Sequence, residues 1–315
     1  MEETLLFETI SQVLFTLLMA PLFSGIMVKL KANVESRKGP SIFQPYFDLI
    51  KLFKKEILIP STSGIFFKIG PYLSFSIYLF ISFLIPVLIP TPVIFTASAD
   101  FLGGALLFST ASFIKVLAAF DSGSNYAKLG ASRIMSFNFL AEGTLITVFF
   151  AVSILTGTNN PYTTIELLTS NPLSDLSLLH LFSLIAFFML FLFETGKIPL
   201  ESKGVQELGM IDSSLNFEYS GKLLALNEWG SYMKQYLLGS VLLNVFLFPW
   251  GLFSGVPFSL IDIPIMFLKW MILIIIITVI ETSLAKLRLF RIIDYLTVAF
   301  TFSVLFLILT EVISV

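Results

Sequence analysis

Cysteine is absent from this chain, and histidine occurs once, at His180. Without thiolates the chain cannot ligate an iron–sulfur cluster, and one imidazole excludes a bis-histidine haem or a Cys₂His₂-type zinc site. No metal site and no cofactor is therefore expected on this polypeptide, and any electron carrier must sit on another chain or diffuse. Charge is also scarce. Only 13% of the 315 residues are charged, and 56% are hydrophobic. A water-soluble domain carries about 25% charged residues. With a mean hydropathy of +0.92, the composition is that of a polytopic membrane protein. The first apolar run lacks a basic leader segment and a small-residue cleavage site, so it is expected to be a retained helix. No nucleotide loop, nucleophile–base pair or nucleic-acid patch is present, which leaves lipid as the expected surroundings and no nucleic acid as a partner.

Long apolar runs are what the chain has in place of these features. A transmembrane helix needs ~20 mainly apolar residues, and eight runs qualify: 5–28, 71–90, 100–120, 135–156, 178–195, 235–253, 263–284 and 293–313. They are continuous and far longer than barrel strands, so the fold class is an all-α integral membrane protein, one polytopic domain over 1–315. Apart from Lys115 and Lys269, the basic residues fall in alternate connections, near 29–70, 121–134, 196–234 and 285–292. The positive-inside rule places those loops in the cytoplasm and both termini outside, in the plasma membrane of a prokaryote.

Two of these loops have internal order. In SIFQPYFDLIKLFKKE, Ile42, Tyr46, Leu49 and Phe53 recur at helical spacing, with Gln44, Asp48, Lys51 and Lys55 on the other face. This is an amphipathic interfacial helix after the first span. The loop after the fifth span mixes Lys197, Glu201, Lys203, Glu207, Asp212 and Glu218 with four glycines and Pro199. Its length and carboxylate density make it the place to meet something outside the bilayer, although a charged loop is usually a solvated connector.

Within the spans, ionisable residues are expensive and point to a bundle interior or a wet cavity. Glu142, Glu281 and Lys115 are the functional candidates on that ground. Glu8, Asp100, Asp262 and Glu311 read as interfacial charges, His180 as a structural polar contact, and Trp229, Trp250 and Trp270 as interfacial belt residues. The segment FDSGSNYAKLGASR after the third span reads as a tight connection.

Taken in order, SRKGPSIFQPYFDLIKLFKKE (36–56), FDSGS (120–124), LGASR (129–133), Glu142, ETGKIPLE (194–201), QEL (206–208), EYSG (218–221) and ETSLAKLRL (281–289) resemble one family over nearly the whole chain. It is the NADH-quinone oxidoreductase subunit 1 family, the membrane subunit of respiratory complex I that joins the peripheral arm. The chain looks closest to its formate hydrogenlyase subunit 4 and membrane-bound [NiFe]-hydrogenase branch. The resemblance implies an eight-helix, non-catalytic subunit of an ion-translocating oxidoreductase complex. Its cytoplasmic loops dock hydrogenase-like large and small subunits that carry iron–sulfur clusters and a NiFe centre, and antiporter-like and small membrane subunits lie alongside.

By the same resemblance, Glu142, Glu194, Glu201, Glu207, Glu218 and Glu281 join Lys115 in an ion-coupling path, and Arg37, Asp48, Lys197 and Arg288 act in docking and positioning. One departure stands out. Where the family presents a run of carboxylates after the proline, this chain reads LESKGVQEL, with Lys203 inside the run, which lowers the local negative potential. The connection from Arg37 to Gln44 is also short beside the quinone-binding branch. Both features favour a ferredoxin-fed hydrogenase or a sulfur-reducing complex over a quinone-chamber subunit, with H⁺ or Na⁺ as the coupled ion. A stand-alone secondary transporter is the rival from another class, but the sequence shows neither an internal repeat nor paired broken helices.

The orientation has a direct test. A cysteine introduced at Ser202 should react with an impermeant maleimide only from the cytoplasmic side, and cysteines at Ser98 and Thr158 only from outside. Labelling of the Ser202 variant from the exterior would reverse the topology.

Overall fold

Proline inside an apolar helix sets much of this fold, because each one leaves a main-chain carbonyl that the helix itself cannot satisfy. The computed structural model describes residues 2–88, 99–170, 178–198, 212–252, 259–284, 287 and 291–314. In order, the helices are α1 (Glu2–Val34), α2 (Gln44–Lys54), α3 (Ile65–Leu84), α4 (Phe101–Asp121), α5 (Asn125–Thr156), α6 (Pro161–Ser170), α7 (Leu178–Glu194), α8 (Asp212–Leu215), α9 (Gly221–Val241) with a π-helical continuation (Leu242–Leu247), α10 (Ser259–Ser283) and α11 (Arg291–Ser314). The all-helical membrane architecture read from the sequence holds. Among the described residues, α1, α3, α4, α5, α10 and α11 are long and apolar enough to cross a membrane, and α7 contributes a shorter apolar helix over His180–Glu194. The expected run 235–253 corresponds to the second half of α9 and the π segment.

Local chemistry explains where helices start and stop. Asp100 caps α4, its carboxylate accepting from the Leu102 N–H at 2.8 Å. α5 ends at Gly157, in the left-handed conformation with φ 66°. α7 ends in a Schellman pattern at Gly196 (φ 62°), where the Gly196 N–H bonds to Phe193 O and the Lys197 N–H to Leu192 O.

The carbonyls freed by Pro21 and Pro71 are met from other elements. Pro21 lies inside α1 and frees Leu17 O, which accepts from Trp229 Nε1 of α9 at 3.2 Å. Pro71 lies inside α3 and frees Phe67 O, which accepts from the Tyr219 hydroxyl at 3.0 Å. The Tyr219 ring also stacks on Phe67, centroids 4.2 Å apart. Tertiary packing and backbone satisfaction are thus one arrangement.

α9 and its π segment sit centrally, touching α1, α2, α3, α7 and α10; α4 and α5 extend the bundle beyond α3, and α11 closes on α5 and α7. Antiparallel neighbours place the start of α4 beside the end of α5, through a bond from Phe101 N to Asn159 O, and the start of α3 beside the end of α4, through one from Gly64 N to Asp121 O. The bundle accordingly has a terminal end, where α1 starts and α3 ends, and a loop end carrying the basic connections. At the loop end α2 lies against α1 and α9, with Pro45 and Leu49 buried and Phe43, Phe47 and Ile50 exposed, as an interfacial amphipathic helix requires. Gly25 permits that approach, since a Cβ there would collide with Ile42 O.

Three expectations are revised. The stretch NYAKLGASR is the first turns of α5 rather than a loop, because it holds no proline and its one glycine, Gly130, is buried within the helix. Trp270 is no belt residue: it is fully buried in one cluster with Phe23 and Tyr236, the three rings stacked pairwise. Glu8 and Asp262 are buried rather than interfacial. The side chain of Glu311 lies outside the described residues.

Replacing Tyr219 with Phe keeps the stacked ring but orphans Phe67 O. The expected cost is about 1–3 kcal/mol of stability in detergent melts. In a Pro71→Ala background the restored N–H satisfies Phe67 O within α3, and the cost of Tyr219→Phe should largely disappear.

Candidate functional site

Four helices bring ionisable side chains to one seam inside the bundle. Glu194, the last residue of α7, is ion-paired with Lys234 of α9, both side chains mostly buried at 12% and 16% exposure. Lys234 Nζ also donates to Ser112 Oγ of α4 at 3.2 Å. Glu142 of α5 stands close enough that the charges of both Glu194 and Lys234 act on it. Its Oε1 accepts from Asn138 Nδ2, one turn earlier, at 3.4 Å. Among the described residues, two carboxylates and one ammonium therefore share a site, with a net charge of −1 when all are ionised, which one proton neutralises.

One turn along the same α4–α9 contact, Lys115 Nζ donates to Ser231 Oγ at 3.2 Å and lies 5.2 Å from the centroid of the Tyr78 ring. The register is antiparallel: Ser112 and Lys115 on α4 face Lys234 and Ser231 on α9. Lys115 thus belongs to the seam but not to Glu142; Lys234 is the cation beside the two carboxylates.

Two further polar groups lie beside α9 and α1. Tyr232 donates to Glu228 Oε2 at 3.2 Å, and the charge of Asp48 on α2 acts on both. Asp48 itself accepts from Gln44 at 2.9 Å. Between α1 and α10, Lys31 and Glu281 form an ion pair of 2.9 Å in which the Glu281 side chain is only 4% exposed.

The remaining candidates are dispersed. Arg37 is exposed and bonds to Glu35, and that hydrogen bond holds the Glu35 carboxyl below the usual carboxylate value. Lys197 follows the α7 stop, beside the carbonyl end of that helix. Glu218 sits half-buried in the turn before α9. Glu201, Glu207 and Arg288 lie outside the described residues. No group of three or more metal-ligating side chains occurs among the described residues.

Lys234 of the seam and Glu228 of the neighbouring polar group are residues that hydropathy assigns to a loop. Both lie in KLLALNEWGSYMKQYLLGSV, whose charges push any hydropathy window downstream to residue 235. The available signal was helical: Glu228, Ser231, Tyr232 and Gln235 recur at i, i+3, i+4 and i+7, a polar stripe on an otherwise apolar helix.

This arrangement of apolar helices around a charged interior defines a multi-pass membrane protein. The chain belongs to the NADH dehydrogenase family, whose sequence pattern matches residues 8–311. It is 31% identical over 294 residues to hydrogenase-4 component C of Escherichia coli (strain K12), covering 91% of this chain and 90% of that protein. It is 30% identical over 284 residues to formate hydrogenlyase subunit 4 of the same organism, covering 88% and 90%. Its fold matches a chain of the membrane-bound sulfane sulfur reductase, an archaeal respiratory membrane complex, with a TM-score of 0.81 and coverage of 97% and 99% at 20% identity.

Removing one member of a buried ion pair strands the other. Lys234→Gln alone should destabilise the protein by about 3–5 kcal/mol. Adding Glu194→Gln should return at least ~1 kcal/mol of that loss in a double-mutant cycle followed by thermal melts.

Proposed function

We propose that this chain is the membrane-anchor and coupling subunit of a ferredoxin-linked, hydrogenase-type respiratory complex. Its cytoplasmic segments 29–56 and 196–220, the second ending where α9 begins rather than at 234, dock the cluster-bearing large and small subunits. Its charged seam links their electron transfer to movement of H⁺ or Na⁺, in company with antiporter-like and small membrane subunits. Both termini face outward from a prokaryotic plasma membrane.

The observation that carries this reading is the Glu142–Glu194–Lys234 site. Buried charges in a membrane protein belong to ion pathways or to structural pairs. Here a second carboxylate is added to a pair already neutral, which a structural role does not require. The relatedness to hydrogenase-4 component C and formate hydrogenlyase subunit 4 supports the hydrogenase branch. An equivalent subunit of a sulfur-reducing complex is the second reading. It is favoured by the fold shared with the archaeal sulfur reductase and by Lys203 within the acid-poor run after Pro199.

Glu142 separates coupling from structure better than Glu194, which is tied into the ion pair. Glu142→Gln should leave the complex assembled and its uncoupled electron transfer largely intact, while ion-gradient formation in sealed vesicles falls sharply. Normal gradient formation in this variant would sink the coupling role. The metal content of the intact purified complex separates the branches: a co-purifying nickel centre supports the hydrogenase, and its absence from an active complex supports the sulfur reductase.

A further inference from the structure

A second buried ionisable site lies away from the seam, in the terminal half of the bundle, where two helices are interrupted side by side. α3 ends at Leu84, ahead of Pro86, and α9 passes into the π segment 242–247. Main-chain carbonyls released there are taken by side chains. Gln12 of α1 donates to Ser82 O and Ile85 O, each at 3.0 Å, and Asn244 of the π segment donates to Pro86 O and Val87 O, each at 3.2 Å. His180 of α7 meets Phe246 O at 2.5 Å. Lys269 of α10 completes the set: its Nζ donates to Asn244 Oδ1 at 3.1 Å and to Phe248 O at 2.7 Å.

Lys269 is 4% exposed and Asp262, two turns earlier on α10, is fully buried. Asp262 is the charged group that acts on Lys269 among the described residues. Among the described residues, the other titratable groups facing this site are His180, which reaches the π segment at Phe246, Glu8, buried in the terminal turns of α1, and Tyr162 of α6, whose hydroxyl accepts from Gln12 Nε2 at 3.4 Å; Glu166 of α6 is exposed.

The chemistry of the Lys269 contacts differs from that of the Lys31 and Lys234 pairs. Those lysines sit directly on carboxylates, so losing a proton removes the charge that holds the pair together. The hydrogen-bond acceptors of Lys269 named above are neutral oxygens. An ammonium has three N–H donors, and the neutral amine keeps two. Two donors suffice for Asn244 Oδ1 and Phe248 O, so a proton can leave without releasing either interrupted helix.

We infer that Lys269 is a proton-carrying site in the terminal half of the bundle, serving the outward part of the ion movement proposed above. In the release step one N–H bond of the ammonium breaks, its electron pair stays on Nζ, and the proton passes through water towards the Asp262 carboxylate and the terminal end. Reloading forms the N–H bond again on that electron pair with a proton arriving from the seam side. The site rests on the coupling reading, and it supplies what the seam does not: an ionisable group between the seam and the terminal face.

The test uses the intact complex in sealed proteoliposomes, with Lys269→Arg and Lys269→Gln compared against the wild type. Arginine keeps its charge throughout the accessible pH range, so it can fill the site but cannot release a proton. Glutamine can donate but carries no transferable proton. Both variants should assemble and retain electron transfer in the presence of uncoupler, and gradient formation should fall several-fold in each. Wild-type gradient formation in either variant overturns the proposal. Loss of the assembled complex in both makes Lys269 a clamp on the π segment and overturns it as well. If the wild-type complex itself builds no gradient, it is the coupling reading that fails, which keeps the two failures distinct.

Discussion

Hydrocarbon offers no hydrogen bonds, so every main-chain group that a helix fails to satisfy must find a partner inside the protein. That constraint organises this structure more than apolar packing does, because lipid tails are as apolar as leucine and give helices little hydrophobic reason to associate. Each interruption becomes an attachment point. Pro21 draws the indole of Trp229 to Leu17 O, and Pro71 draws the phenol of Tyr219 to Phe67 O. The end of α3 takes the amides of Gln12 and Asn244. Breaks that would weaken isolated helices specify which helices lie together.

The same medium governs charge. Moving an ion out of water costs several kcal/mol even after relaxation, so an isolated buried charge is not maintained. Lys31 with Glu281 and Lys234 with Glu194 meet this by pairing across helices. Glu142 is the exception that gives the seam its interest, because it brings a second carboxylate to a cation already engaged. A pair is a stable resting arrangement, and here Glu142 stands as an additional acid beside a pair that Glu194 and Lys234 already complete. On the proposed reading, that additional acid is what electron transfer in a docked module acts upon.

Much of this is legible in the sequence because it is carried by composition and order. Continuous apolar runs locate the helices, and the amphipathic spacing of Tyr46, Leu49 and Phe53 against Gln44, Asp48 and Lys51 locates α2. The motifs from Ser36 to Leu289 identify the family. What stays hidden depends on distant parts of the chain meeting. Trp270 reads as a belt residue until Phe23 and Tyr236 are seen packed against it. Asp262 reads as an interfacial acid until Lys269 is placed in its field. Lys234 reads as a loop residue because hydropathy averages over a window, and a helix with a polar stripe scores poorly whichever side its stripe faces. The π segment has no sequence signature of its own; it becomes visible through the side chains that collect its carbonyls.

The absence of any thiol and the structural use of the one imidazole limit how this chain can take part in redox chemistry. His180 is committed to Phe246 O, and no cluster of metal-ligating side chains occurs among the described residues. On the proposed reading, an electron passing through a docked partner acts on this protein by its electric field or by moving the docked surface. A field acts over distance where water is excluded, because screening is weak in a low-dielectric interior. The polar groups that could respond begin at the loop end with Asp48, Glu228 and Tyr232 and continue through Lys115 and Lys234 to Glu142. Four of those six lie on α9 or on α2, which packs against it. α9 in turn runs without a break in the chain into the π segment that Lys269 holds. One central helix thus connects the loop end, the charged seam and the terminal site, and its π-helical continuation is where that connection departs from regular α-helical bonding.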